Sequence, residues 1–180
     1  LSSQITVSPS DNCVKYVVEL TNDSGRTLEH SLALNCFQCG GVQRITANEC
    51  LRHCVCSDGS LMPLREVPRQ YGPRPTVQLY SVEGSPPGEE VPFVANFAAT
   101  PRGVVLEGWM GIRSRDGRCL AITASKPCLC RFQNMEYSCI HASPSLGSLE
   151  PGETGRALNR IYLVEATLEE WHGRYRAEMH

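Results

Sequence analysis

Ten cysteines in a chain of 180 residues, gathered mostly into two clusters, constrain this sequence more than any other feature. Cys36, Cys39, Cys50, Cys54 and Cys56 crowd residues 36–58 with Cys13 ahead of them, and Cys119, Cys128, Cys130 and Cys139 form the second group. An even number at this density points to an oxidising compartment and a disulfide framework. Five bridges would admit on the order of a thousand connectivities, so the pairing is not legible in the sequence. A stretch as short as 36–58 has too small an apolar core to fold unaided and needs such staples.

The rest of the composition narrows the class. With 41% apolar residues the chain can bury a core, and 17 basic against 19 acidic side chains leave a net charge of −2, with no general drive toward nucleic acid. No run approaches the ~18 apolar residues that span a bilayer, and no charged-then-apolar leader opens the chain. The chain therefore reads as a mature or excised piece of an extracellular or cell-surface protein, any membrane anchor being absent from it. Asn22-Asp23-Ser24 supplies a glycosylation acceptor at Asn22 in a turn-like stretch.

Period-two alternation and β-branched residues predict strands through Ile5–Val7, Val14–Leu20, Leu28–Leu34, Thr76–Val82, Val91–Phe97, Val104–Ile112, Cys119–Ile122 and Ile161–Val164. Proline and glycine punctuate residues 63–101, and Asp116-Gly117 favours a turn. The Ser-, Pro- and Gly-rich stretch 143–156 reads as an exposed, mobile loop. Leu168, Trp171 and Tyr175 fall at helical spacing within 166–179, although Gly173 weakens a helix there by about 1 kcal/mol. The expected fold is all-β, with disulfide-rich β-sandwich elements in two regions. Residues 1–100 hold the cysteine-dense loop 36–58; residues 101–180 hold the Cys119–Cys139 cluster and a candidate apolar loop at 131–146.

Cys36-x2-Cys39 followed by Cys50-x2-His53 has the spacing of a tetrahedral zinc site. A disulfide knot is preferred, because oxidised sulfur explains both clusters at once and Cys119, Cys128, Cys130 and Cys139 contain no CxxC. Nucleophile elbow, phosphate-cradling glycine loop and metalloprotease helix are all missing from the sequence, and His30, His53, His141, His172 and His180 have no partner motif. No enzyme, metal, cofactor or small-molecule substrate is expected. Phe132, Met135, Tyr137 and Ile140 concentrate apolar surface around Cys139, either as satellite core under the sulfurs or as an exposed tip that docks into a bilayer or a partner.

The order of these features resembles the amino-terminal ectodomain of the Hapless (generative-cell-specific) gamete-fusion family, the fusexins or class II membrane fusogens. The resemblance runs from Cys13 through Val17-Val18-Glu19-Leu20 to Asn35-Cys36, then Cys54-Val55-Cys56, Pro63-Leu64-Arg65, Leu79-Tyr80 and Pro87 to Val91. It continues through Gly108-Trp109, Asp116-Gly117 and Cys128-Leu129-Cys130, with a late signature at Leu163, Trp171 and Tyr175. The chain departs from the family where Ile161-Tyr162 stands in place of a cysteine, and Arg131 is a weak match to the arginine before the insertion-loop cysteine. The resemblance implies an elongated ectodomain fragment, a strand rather than a helix at the end, and membrane-insertion loops within residues 132–146. It also implies gamete fusion by insertion of Phe132, Met135, Tyr137 and Ile140 into the target-cell bilayer, followed by homotrimer formation. The alternative is a secreted cysteine-rich binding module, a receptor ectodomain or ligand-sequestering protein, without membrane contact.

Overall fold

The computed structural model describes residues 2–8, 12–47, 50–70, 77–86, 98–99 and 103–179. Thr76, the strand expected at 91–97 and the Pro87-to-Val91 step lie outside them. The strands are β1 (Ser2–Ser8), β2 (Cys13–Thr21), β3 (Leu28–Leu32), β4 (Phe37–Gln38), β5 (His53–Ser57), β6 (Ser60–Pro63) and β7 (Val77–Val82). They continue with β8 (Ala98–Ala99), β9 (Val105–Leu106), β10 (Trp109–Arg113), β11 (Leu120–Lys126), β12 (Cys128–Asn134), β13 (Cys139–Leu149) and β14 (Thr154–Val164), and helix α1 (Leu168–Met179) closes the chain. The protein is mostly β, as expected, but the strands of both halves join one curled sheet.

Along the sheet the order is β1-β2-β14-β11-β10-β5-β9-β7-β12-β13-β3, with β4 on β13, β6 on β5 and β8 on β7. Pairing is antiparallel except where β7 meets β8 and β9. Curling brings β13 against β11 and β14, to which it is not a ladder neighbour. Polar side chains tie the facing layers: Ser125 Oγ donates to Ala142 O at 2.5 Å, Asn159 Nδ2 to the same carbonyl at 3.1 Å and Asn35 Nδ2 to Thr123 Oγ1 at 3.1 Å. The approach is so close that a Cβ on Gly155 would stand 2.1 Å from Leu146 O, which leaves room there only for glycine.

This folding-back corrects two sequence expectations. Residues 143–149 are the second half of β13, because its edge pairs with β3 through Ser145↔Leu32 and Leu149↔Leu28. Only residues 150–153 turn before β14. Likewise 131–146, expected as an apolar loop, runs through β12, a short turn and β13, with the Phe132↔His141 and Asn134↔Cys139 register between them.

The end of the chain is the helix that its spacing allowed, not the strand implied by the resemblance. Thr167 and Glu170 form a capping box, Glu170 Oε2 accepting from Thr167 N at 2.8 Å and Thr167 Oγ1 from Glu170 N at 3.2 Å. Acidic Glu169 and Glu170 in the first turn and Arg176 in the last complement the helix dipole. Leu168, Trp171, His172 and Tyr175 form one buried face, while Gly173 looks into open space. That face covers a cluster of Trp109, Leu120, Ile122, Tyr162 and Val164 on β10, β11 and β14.

Candidate acid–base site beneath the terminal helix

Seating α1 on the sheet assembles a cluster of polar groups inside an aromatic wall. Trp109 and Trp171 meet edge to face with ring centroids 4.8 Å apart, and Tyr175 stacks on Trp171 at 5.1 Å. Glu107, in the two-residue link between β9 and β10, points under the helix. Its Oε2 accepts from His172 Nε2 at 2.8 Å and from Trp109 Nε1 at 2.9 Å. The Cys56 sulfur, buried on β5, lies within 4.8 Å of the ligating atoms of Glu107 and His172.

The electrostatics follow from these contacts. Burial alone would raise the Glu107 pKa, but hydrogen bonds from His172, Trp109 and Cys56 outweigh it and the carboxyl is held below its usual range. Glu107 is therefore an ionised carboxylate in a largely dry setting. Burial, reinforced by that carboxylate, pushes the Cys56 thiol up to about 12. A thiol so strongly protonated is a hydrogen-bond donor and not a thiolate nucleophile, which leaves the Glu107 carboxylate as the charged group of the site.

The backbone carbonyl of Glu107 accepts from Arg131 Nε at 2.5 Å. Arg131 is fully buried on β12, and its two terminal nitrogens have no hydrogen-bond partner among the described residues. Above this floor a cleft of about 360 Å³ opens, lined by Glu107, Gly108, Ser85, Lys126, Tyr175 and Arg176 among others. A larger hollow of about 580 Å³ lies on the other flank of α1, beside Lys15, Arg160, Tyr162 and Arg174. There Arg160 is already engaged by Glu178 and bonded to Tyr162, so the Glu107 cleft holds the better candidate.

The residues singled out from the sequence lie elsewhere. Phe132 and Ile140 are core residues, Met135 packs against the Cys39–Ile140 cluster, and of the four only Tyr137 is exposed, at 55%. Asn22 is buried, and its Nδ2, the atom that a glycan would occupy, donates to Arg26 O and Leu149 O at 2.8 Å each. The Cys36-x2-Cys39 and Cys50-x2-His53 pairs do not converge as spaced: the Cys50 sulfur faces Arg69 Nη1 at 4.0 Å, whereas Cys36 meets Cys139 and His141. His172, read as a histidine without a partner, is the one that meets a carboxylate. The Leu168, Trp171 and Tyr175 spacing could have found the helix face, but not Glu107.

No family model and no curated protein matches the chain. Among solved structures, the chain is similar to a proposed aldose 1-epimerase of Escherichia coli K12, with 12% identity and a TM-score of 0.42. The match covers 86% of this chain and 57% of that one, so this chain spans little more than half of that protein's length. Two expectations are corrected at this point. Of the apolar group on which membrane merging depended, Phe132 and Ile140 are core and Met135 is partly buried against that core, so the fusion function does not stand. The expected absence of enzymatic groups is corrected as well, since Glu107, hydrogen-bonded to His172, lines a cleft.

Proposed function

We propose that the chain binds a small hydroxyl-bearing ligand in the cleft beside Glu107, and that Glu107, held by His172, accepts a hydrogen bond from a hydroxyl of that ligand. The observation that carries this reading is a single carboxylate that is ionised, anchored by His172 and Trp109, and also lines a cleft. A carboxylate in that position accepts a charge-assisted hydrogen bond from a ligand hydroxyl. The imidazole behind it, already within hydrogen-bond reach, holds the carboxylate in place for that bond. Tyr175 also lines the cleft, where Glu83 and Glu107 balance Lys126 and Arg176 and set no strong preference for a charged ligand. Sugars, sugar acids and polyols share that chemistry.

Calorimetric titration and saturation-transfer NMR with aldoses, aldonic acids and polyols test the reading. At least one class is expected to bind, with contact at the ring C–H groups, and Glu107→Gln is expected to weaken binding at least ~10-fold by removing one charge-assisted hydrogen bond. Absence of binding across the three classes, or unchanged binding by a folded Glu107→Gln variant, would overturn it.

A further inference from the structure

Outside that cleft, β4 and β13 bring a second set of metal-ligating atoms together. Cys36 Sγ, Cys139 Sγ and a His141 ring nitrogen lie within 4.8 Å of one another. In a tetrahedral zinc site with bonds of about 2.3 Å to sulfur and about 2.0 Å to nitrogen, the ligands stand roughly 3.3–3.8 Å apart, so the cluster needs only slight contraction. His141 Nε2 is already 3.1 Å from the Cys139 sulfur. Cys39, two residues past the start of β4's pairing with β13, is a further buried sulfur on the same segment, although it lies outside that 4.8 Å set.

The surroundings hold these ligands in place. His141 Nδ1 donates to Asn35 O at 2.6 Å, which fixes the tautomer and turns the Nε2 lone pair toward the sulfurs, the usual arrangement behind a metal-bound histidine. Asn35 is itself pinned, its Oδ1 accepting from Ala142 N at 3.1 Å and its Nδ2 donating to Thr123. Cys39 N donates to Ser138 O at 2.6 Å, and the Cys139↔Gln38 and Ile140↔Phe37 pairs set the two segments in register. Cys36 is exposed, giving an ion a path in, while Cys39, Cys139 and His141 are buried.

We propose that Cys36, Cys139 and His141 bind one thiophilic divalent metal ion of the zinc type, with the neighbouring Cys39 turning in as the fourth ligand. Three thiolates and one imidazole satisfy the soft-ligand, four-coordinate preference of zinc and leave no position for a substrate, so the ion is structural. It clamps the 36–39 segment, which has only the two-residue strand β4, onto β13. On binding, each thiol proton is released to solvent and a sulfur lone pair takes its place on the metal.

The test is metal analysis of the chain purified with its thiols kept reduced, followed by cobalt(II) titration of the metal-stripped protein. One equivalent of zinc per chain is expected, together with a thiolate-to-cobalt charge-transfer band and the strong visible bands of tetrahedral cobalt. Cys36→Ser, at the exposed ligand, and His141→Ala are each expected to weaken metal binding at least ~10-fold. Cys56→Ala and Cys119→Ser are expected to leave it unchanged. Should a buried-ligand variant fail to fold, Cys36→Ser and the wild-type cobalt spectrum still decide. A reduced chain without the charge-transfer band, binding that survives both Cys36→Ser and His141→Ala, or loss of the band in Cys56→Ala would overturn the proposal.

Discussion

His172 Nε2 donates to Glu107 Oε2 across 2.8 Å and 65 positions of sequence, and this one bond joins the terminal helix to the link between β9 and β10. Both side chains are mostly shielded from water, at 9% and 17% exposure, so the pair is stronger than a surface ion pair would be. Its strength is measurable without knowledge of any ligand. In a double-mutant cycle of Glu107→Gln and His172→Gln followed by urea unfolding, the coupling energy is expected at about 0.5–3 kcal/mol, and a value indistinguishable from zero would show that the two side chains are merely neighbours.

Trp171 is the anchor of α1. It is 2% exposed and meets Trp109, Tyr162 and Tyr175. Trp171→Ala is expected to cost about 3–5 kcal/mol and to release the helix, taking His172 away from Glu107. Hydrogen exchange along 168–179 reports this directly: protection should fall in the variant, while β10 and β11 stay protected.

The capping box makes a smaller and cleaner prediction. Thr167→Ala removes the acceptor for Glu170 N and should destabilise the chain by about 0.5–2 kcal/mol without touching the core. Thr167→Ser, which keeps the hydroxyl, should recover most of the loss in thermal unfolding.

His53 sets an acid limb. Burial first, and the charge of Arg52 second, pull its pKa from 6.5 down to about 4, against a weaker opposing contact with the Cys139 backbone. The folded state thus disfavours the imidazolium. The corresponding stability is fully present above pH ~6.5, where both states hold the ring neutral, and is lost as pH falls from there toward ~4 because the unfolded chain takes up the proton first. His53→Leu should flatten this window in denaturant titrations between pH 4 and 7. An acid limb of the same slope in the variant would assign the sensitivity to other groups.

Much of the sheet was legible from alternation and residue type. Val14–Leu20, Thr76–Val82 and Cys119–Ile122 overlap β2, β7 and β11, because runs rich in β-branched and apolar residues favour extended chain even where, as in β7 and β11, both faces are buried. The region around Cys139 misled for a physical reason. Apolar residues on both faces of Phe132 and Ile140's strands look the same in sequence whether they form a tip or a strand covered on two sides, and the folding-back of the sheet supplies the second cover. The Asn-x-Ser pattern at Asn22 is likewise blind to burial, which comes from its bonds to Arg26 and Leu149. The helix was written locally, in Thr167-x-x-Glu170 and in the spacing of Leu168, Trp171 and Tyr175. The family resemblance, matched on single residues, argued against that local signal.

Local chemistry thus settled what depends on neighbours in the chain: the period-two strands, the Asp116-Gly117 turn, the start of α1, and the set of side chains able to ligate a metal or exchange a proton. Which of them meet was decided by tertiary structure alone. Glu107 finds His172 because α1 returns over β10, and Cys36 finds His141 because a two-residue strand pairs with β13. Such contacts depend on strand order and sheet curl, which arise from burial summed over the whole molecule and leave no periodic trace in the residues that make them.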